Sequence, residues 1–209
     1  MAASKHYVRL VIVSDTHRRF RRSLPFGDIV IHCGDSEWGV SELEAWASNL
    51  PHQHKVVIPG NMDYRLKGQT KGFTNVTYLQ DKEIEIKGLK IYGSPWTPKF
   101  VGEFQLEDEK HAHAVWNRMP TDVDVLITHG PPKGILDVTS RGMSVGDSAL
   151  LEKVRTVRPR VHCFGHVHES YGTLNDEHTL FCNAAVFNDH PPIVVDVPMN
   201  KTQPPRIAS

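Results

Sequence analysis

Seven side chains able to hold a cation stand directly behind apolar runs: Asp15 and His17 in VIVSDTH, Asp35 in IVIHCGD, Asn61 in VVIPGN, His129 in VLITHG, and His166 and His168 in VHCFGHVH. Nitrogen and oxygen donors without thiolate suit manganese, iron, cobalt, nickel or zinc better than magnesium or calcium, which prefer oxygen shells. Asp15 and His17, like His166 and His168, are two residues apart, so in extended chain each pair projects to one side. Asp35 carries two oxygens and can bridge two cations. Taken singly, each element has a plainer explanation: an Asp after a strand is commonly a cap, a Gly-Asn pair a turn, and a lone His a hydrogen-bonded core residue. A core alone gives no reason to place polar groups behind five apolar runs while leaving the runs themselves apolar.

The runs must be the elements that position these groups. Val8 to Val13, Asp28 to His32, Lys55 to Ile58, Val123 to Ile127, Val161 to Phe164 and Ile193 to Val197 read as buried strands. In open α/β sheets the carboxyl ends of strands share an edge, so residues far apart in sequence converge there. Thr74 to Leu79, Glu83 to Ile86 and Leu89 to Tyr92 read as further strands, with Lys87 and Gly88 as a tight turn, and Tyr171 to Leu174 with Thr179 to Cys182 as another hairpin. Helical patterns cover Ser41 to Leu50, where Ser41 and Glu44 predict a capping box, Glu107 to Arg118, and Asp147 to Val157. The alternation predicts an α/β sandwich of two packed sheets. One domain over 1–198 is expected, followed by a mobile Pro-containing tail over 199–209.

Composition narrows the function classes. Lys plus Arg and Asp plus Glu both total 24, which argues against an extended nucleic-acid surface. The start, MAASKHYVRLVIV, lacks the pattern of a secretory signal, and no later run approaches a membrane span. Cys33, Cys163 and Cys182 read as reduced core residues, so a cytoplasmic setting with no membrane partner is expected.

The elements SDTH, CGD, GNMD, ITHGPP and GHVH resemble those of the calcineurin-like metallophosphoesterase superfamily, and GSPWTP, DVLITHGPPKGILD and FGHVHESYGT resemble its MPPED branch, the group related to the 239 fetal brain proteins. The resemblance runs from about Val8 to Pro198. It implies a four-layer α/β/β/α sandwich with a dimetal site on one edge. It also implies that Asp15, His17 and His168 hold one ion, Asn61, His129 and His166 the second, and that Asp35 bridges them. The cofactor expected is a pair of divalent ions, manganese first, with iron, cobalt, nickel or zinc as alternatives. Such a pair, roughly 3.5 to 4 Å apart, generates a hydroxide nucleophile at neutral pH and neutralises phosphate oxygens during in-line displacement.

GNMD departs from the superfamily pattern, because Met62 stands where histidine is usual and a thioether cannot protonate a leaving group. The departure favours diesters, and the resemblance implies that these are small phosphodiesters of nucleotide type, cyclic nucleotides among them, with Asp35, Asn61, Met62 and His129 lining the reaction centre. The alternatives are a broad phosphomonoesterase or nuclease, and a metal-binding scaffold that keeps the fold without the chemistry. Trp96 reads equally as a stacking wall for a base or a packing aromatic, and Arg18, Arg19, Arg21 and Arg22 as a solvated run more than a phosphate-attracting loop. His111 and His113, on different faces of a helix, are not expected to bind metal.

Overall fold

The central strands are largely apolar because both of their faces are covered. The computed structural model describes residues 6–19 and 23–208, so Arg21 and Arg22 of the basic run lie outside the described residues. Elements follow in the order β1 (Tyr7–Val13), β2 (Ile29–His32), α1 (Val40–Ser48), β3 (His54–Val57), β4 (Thr77–Tyr78), β5 (Lys82–Ile86), β6 (Leu89–Ser94) and α2 (Glu109–Trp116). The second part of the chain adds β7 (Val125–Thr128), α3 (Ser148–Val157), β8 (Val161–Phe164), β9 (Gly172–Asn175), β10 (Leu180–Asn183), β11 (Ile193–Pro198) and β12 (Arg206–Ile207). They form two mixed six-stranded sheets, ordered β12-β11-β1-β2-β3-β4 and β5-β6-β7-β8-β10-β9.

Period-two alternation divides each strand between two cores. Leu10 and Ile12 of β1, Ile29 and Ile31 of β2, Ile91 of β6, Val125 and Ile127 of β7 and Val161 of β8 pack together between the sheets. The intervening Val11, Val30 and Val57 face outward onto Leu43, Trp46 and Ala47 of α1. On the opposite outer face, Tyr92, Leu126 and Phe164 meet Val115 and Trp116 of α2 and Leu150 and Val154 of α3. The result is the α/β/β/α layering.

Two local expectations change. No Ser41–Glu44 capping box forms: the residue preceding α1 is Gly39, with no side-chain cap. The Glu44 carboxylate instead accepts the backbone N–H groups of Thr74, Asn75 and Val76, tying α1 to the chain entering β4. The segment after Met199, expected to lack regular structure, carries β12, whose Ile207 and Arg206 pair with Val195 and Asp196 of β11. α2 and α3 are capped by Asp108 and Asp147, whose carboxylates accept from His111 N and from Ala149 N and Leu150 N. Lys87 and Gly88 both take positive φ, 51° and 76°, as the tight turn between β5 and β6 requires. Among the described residues no helix is long and apolar enough to cross a membrane.

Candidate metal centre

β1, β2 and β3 run parallel as neighbours in one sheet, and β7 and β8 do the same in the other. Their carboxyl ends open on one edge of the sandwich, where the following loops interlock. Asp15 N donates to Gly34 O at 2.9 Å, His17 N to Asp35 O at 3.0 Å, and Gly165 N to His129 O at 2.9 Å. Ser14 N reaches across to Ala184 O at 2.9 Å, so the two sheets are joined at this edge.

The structure brings together six of the seven expected donors as two groups: Asp15, His17 and His168 in one, and Asp35, His129 and His166 in the other. Within each group the ligand atoms all lie within 4.8 Å of one another. Asn61 joins the second group, its Oδ1 being 2.9 Å from His129 Nε2. Asp15, Asp35, Asn61 and His129 are buried and form the floor, while His17, Met62, His166 and His168 are half-buried and form the open side.

The backbone is strained to achieve this. Asp15, His17, Asp35 and His166 have φ of 56°, 43°, 56° and 68°, a region non-glycine residues occupy at a cost of about 1–3 kcal/mol each. Close approach is equally demanding at Gly165, where a Cβ would lie 2.1 Å from Asp15 Oδ2.

Hydrogen bonds fix which atoms face inward. His129 Nδ1 donates to Cys33 O at 2.8 Å, which leaves Nε2 facing Asn61 Oδ1 and, at 3.4 Å, Asp35 Oδ1. The Asn61 amide cannot turn its donor inward, because Nδ2 already donates to Val101 O at 2.9 Å. Two acceptor oxygens therefore converge on His129 Nε2, a place that a positive charge, either a proton or a cation, must fill. In the first group His17 Nδ1 donates to Glu37 Oε1 at 2.8 Å, leaving His17 Nε2 turned toward His168 Nε2 at 3.3 Å and the latter 3.1 Å from Asp15 Oδ1. A histidine oriented by a carboxylate or carbonyl is the usual arrangement of a metal ligand. The donor set thus fits two divalent cations.

Charge distribution agrees. Burial alone lowers the His129 pKa, but the Asp35 charge and hydrogen bond, helped by Asp15, more than offset it and raise the pKa to about 9. His166 is held down near 4 by burial and by His129, so it is neutral at pH 7 and free to ligate. Burial would raise Asp15, yet its contacts with His168 and His129 hold it well below the usual carboxylate range.

Two contributors escaped the sequence reading. Glu37 carries no motif of its own and reaches His17 only because the loop after β2 turns back at φ 60°. Asp63, inside GNMD, is fully buried and accepts from Asp35 N (2.8 Å), Ser36 Oγ (2.8 Å), Glu37 N (2.6 Å) and Gly60 N (2.7 Å). It clamps the two loops that carry Asp35 and Asn61. Burial and the nearby Asp35 charge push its own pKa up to about 6. Met62 supplies a backbone N–H to Asp35 Oδ1 at 2.7 Å, a role its side chain does not determine.

Other candidates are placed outside the centre's floor. Trp96 is tied by its indole N–H to Asp81 at 3.0 Å and packs edge-on against Phe104 and His111. Arg18 pairs with Glu37 at 3.2 Å, and the Arg19 guanidinium lies 5.2 Å over the Phe187 ring, itself stacked on His168 at 4.6 Å. His111 and His113 both lie on α2.

Known proteins resemble this chain in sequence or in architecture. Human metallophosphoesterase domain-containing protein 1 is 40% identical over 92% of this chain and 72% of its own length. Among solved structures, TT1561 of Thermus thermophilus superposes with a TM-score of 0.63 over 97% of this chain and 99% of that one at 10% identity. Phosphopantetheinyl hydrolase of Mycobacterium tuberculosis superposes with a TM-score of 0.60 over 87% and 90% at 13% identity, and at these identities both likenesses concern the fold. The pattern of the calcineurin-like phosphoesterases matches residues 8–170, and with the human relative this places the chain in that metallophosphoesterase family.

Proposed function

We propose that the protein is a phosphodiesterase that acts on small nucleotide-type phosphodiesters, cyclic nucleotides included, with two manganese ions in a cytoplasmic setting. The observation that carries the reading is the pair of donor groups with convergent acceptors, Asp15–His17–His168 and Asp35–Asn61–His129–His166. Two divalent cations held there supply Lewis acidity toward phosphate oxygens and acidify water.

The chain's own residues do the rest. Asp35, grouped with His129 and His166, would be the carboxylate shared by the two cations in this reading. Cys33 O keeps a proton on His129 Nδ1 and Glu37 keeps one on His17 Nδ1, so both Nε2 atoms stay available. Met62 has no proton to give, so a leaving oxygen must depart without an acid from this position. That favours diesters over alkyl monoesters, because a positioned acid is typically worth about 10² to 10⁴ in rate.

The test is reconstitution of metal-free protein with Mn, Fe, Co, Ni, Zn or Mg, assayed on an activated aryl diester, glycerol phosphate and cyclic nucleotides. Highest turnover with Mn, and diesters well ahead of glycerol phosphate, is expected. Metal-loaded protein that hydrolyses none of them would leave only a binding scaffold.

A further inference from the structure

Next to the candidate centre, one aromatic ring is presented largely to solvent. Phe100 is 74% exposed, and its ring stands roughly perpendicular to that of His166, with 6.0 Å between centroids. Its neighbour Val101 is 47% exposed, so the tip of this loop is an apolar patch beside a polar centre.

The loop is held rigidly. At its base Thr97 N donates to Phe104 O at 3.0 Å and Leu106 N to Thr97 O at 2.8 Å, and Phe100 N donates to Gln105 Oε1 at 3.1 Å. Its tip is tied to Asn61 by two hydrogen bonds, Asn61 Nδ2 to Val101 O at 2.9 Å and Glu103 N to Asn61 O at 2.8 Å. At Gly102 a Cβ would lie 2.0 Å from Asn61 O, so only glycine permits this approach. The same contacts that aim Asn61 Oδ1 inward therefore fix Phe100 at the rim.

Two other nearby rings are committed. Phe187 is occupied by His168, His17 and Arg19, and Trp96 by Asp81, Phe104 and His111.

We propose that Phe100 is a stacking platform for a planar aromatic group carried by the substrate phosphate, which makes aryl or nucleobase phosphoesters the preferred substrate class. The inference rests on the phosphoesterase reading above and specifies its substrate. A preformed ring binds such a group without ordering the loop at the moment of binding.

Calorimetric titration of Mn-loaded protein tests it by affinity, under conditions where phosphate release from the probes is below detection. The probes are phenyl phosphate against methyl phosphate, and adenosine 5′-monophosphate against ribose 5-phosphate. Phe100→Ala should weaken the aromatic member of at least one pair by about three- to tenfold and its non-aromatic partner by less than about twofold, and Phe100→Tyr should restore the difference. Loss confined to phenyl phosphate identifies an aryl group bonded directly to the phosphate; loss confined to the nucleotide identifies a base. Equal losses for both members of each pair, or no rescue by Tyr, would overturn the proposal. Probes that bind as expected to a protein that hydrolyses nothing would leave the platform standing and remove the hydrolase reading.

Discussion

At the Met62 position the two sources of rate enhancement separate. The thioether lies half-buried while its N–H serves Asp35. The Met62→His variant keeps that N–H, so at equal metal occupancy its hydrolysis of an alkyl monoester should rise, by up to about 10². Hydrolysis of an activated aryl diester should change little. A natural protein that already cleaves alkyl monoesters as fast as activated diesters would show that another residue supplies the proton. Glu37 gives the complementary case, since it touches His17 and not the proposed substrate. Replacing Glu37 by Gln keeps the shape but lets the amide turn either way, so the His17 tautomer is no longer specified. Affinity for one of the two ions should fall about 10- to 100-fold. Competition with a graded chelator would resolve this, and two unchanged affinities would show that the contact is incidental. Both residues also mark how legible the centre was. The seven donors could be read because each follows its strand directly. Glu37, Asp63 and Phe100 could not, because each works only after a loop folds back on a distant segment.

At the scale of elements, the same division holds. The strands were legible because two buried faces leave a mostly apolar run, and α2 and α3 because helical patterns cover residues 107–118 and 147–157, within which Asp108 and Asp147 turn out to be the caps. The start of α1 misled because Glu44 has a stronger use than a local cap. It gathers three backbone N–H groups from residues 74–76, a segment thirty or more positions away that no local pattern announces. This yields a contrast in stability. The variant Glu44→Gln should lose about 1–2 kcal/mol in urea denaturation, as for hydrogen bonds to a charged group. By comparison Ser41→Ala, on an exposed side chain with no capping bond, should stay within about 0.5 kcal/mol. A larger loss at Ser41 than at Glu44 would restore the capping box. The contacts also hold the Glu44 carboxyl below its usual range, although burial opposes them. The stabilising part of that interaction is therefore present at neutral pH and fades as pH falls through the carboxylate range.

Across the whole molecule, the centre acts as a joint between the sheets. Asp15 and His17 follow β1 of one sheet while His168 follows β8 of the other. Asp35 and Asn61 follow β2 and β3, while His129 and His166 follow β7 and β8. A cation in either group therefore fastens both halves of the sandwich, and its removal should lower the melting temperature. Saturation at about 100 times the dissociation constant corresponds to about 2.7 kcal/mol. The effect should also depend on pH, with a sign set by His129. With no cation bound, its folded pKa of about 9 exceeds the ordinary histidine value, so a proton there stabilises the fold. That contribution is complete below about pH 6.5 and is lost as pH rises through 9. A cation held by His129, Asp35 and Asn61 would replace that proton, so the loaded protein should lack this loss. The gap in melting temperature between Mn-saturated and chelator-treated protein should therefore widen from pH 6.5 to pH 8.5. The His129→Asn variant should flatten the trend. A gap that stays constant or narrows over this range would mean that metal and proton do not compete for the same place, and His129 would have to be removed from the proposed ligand set.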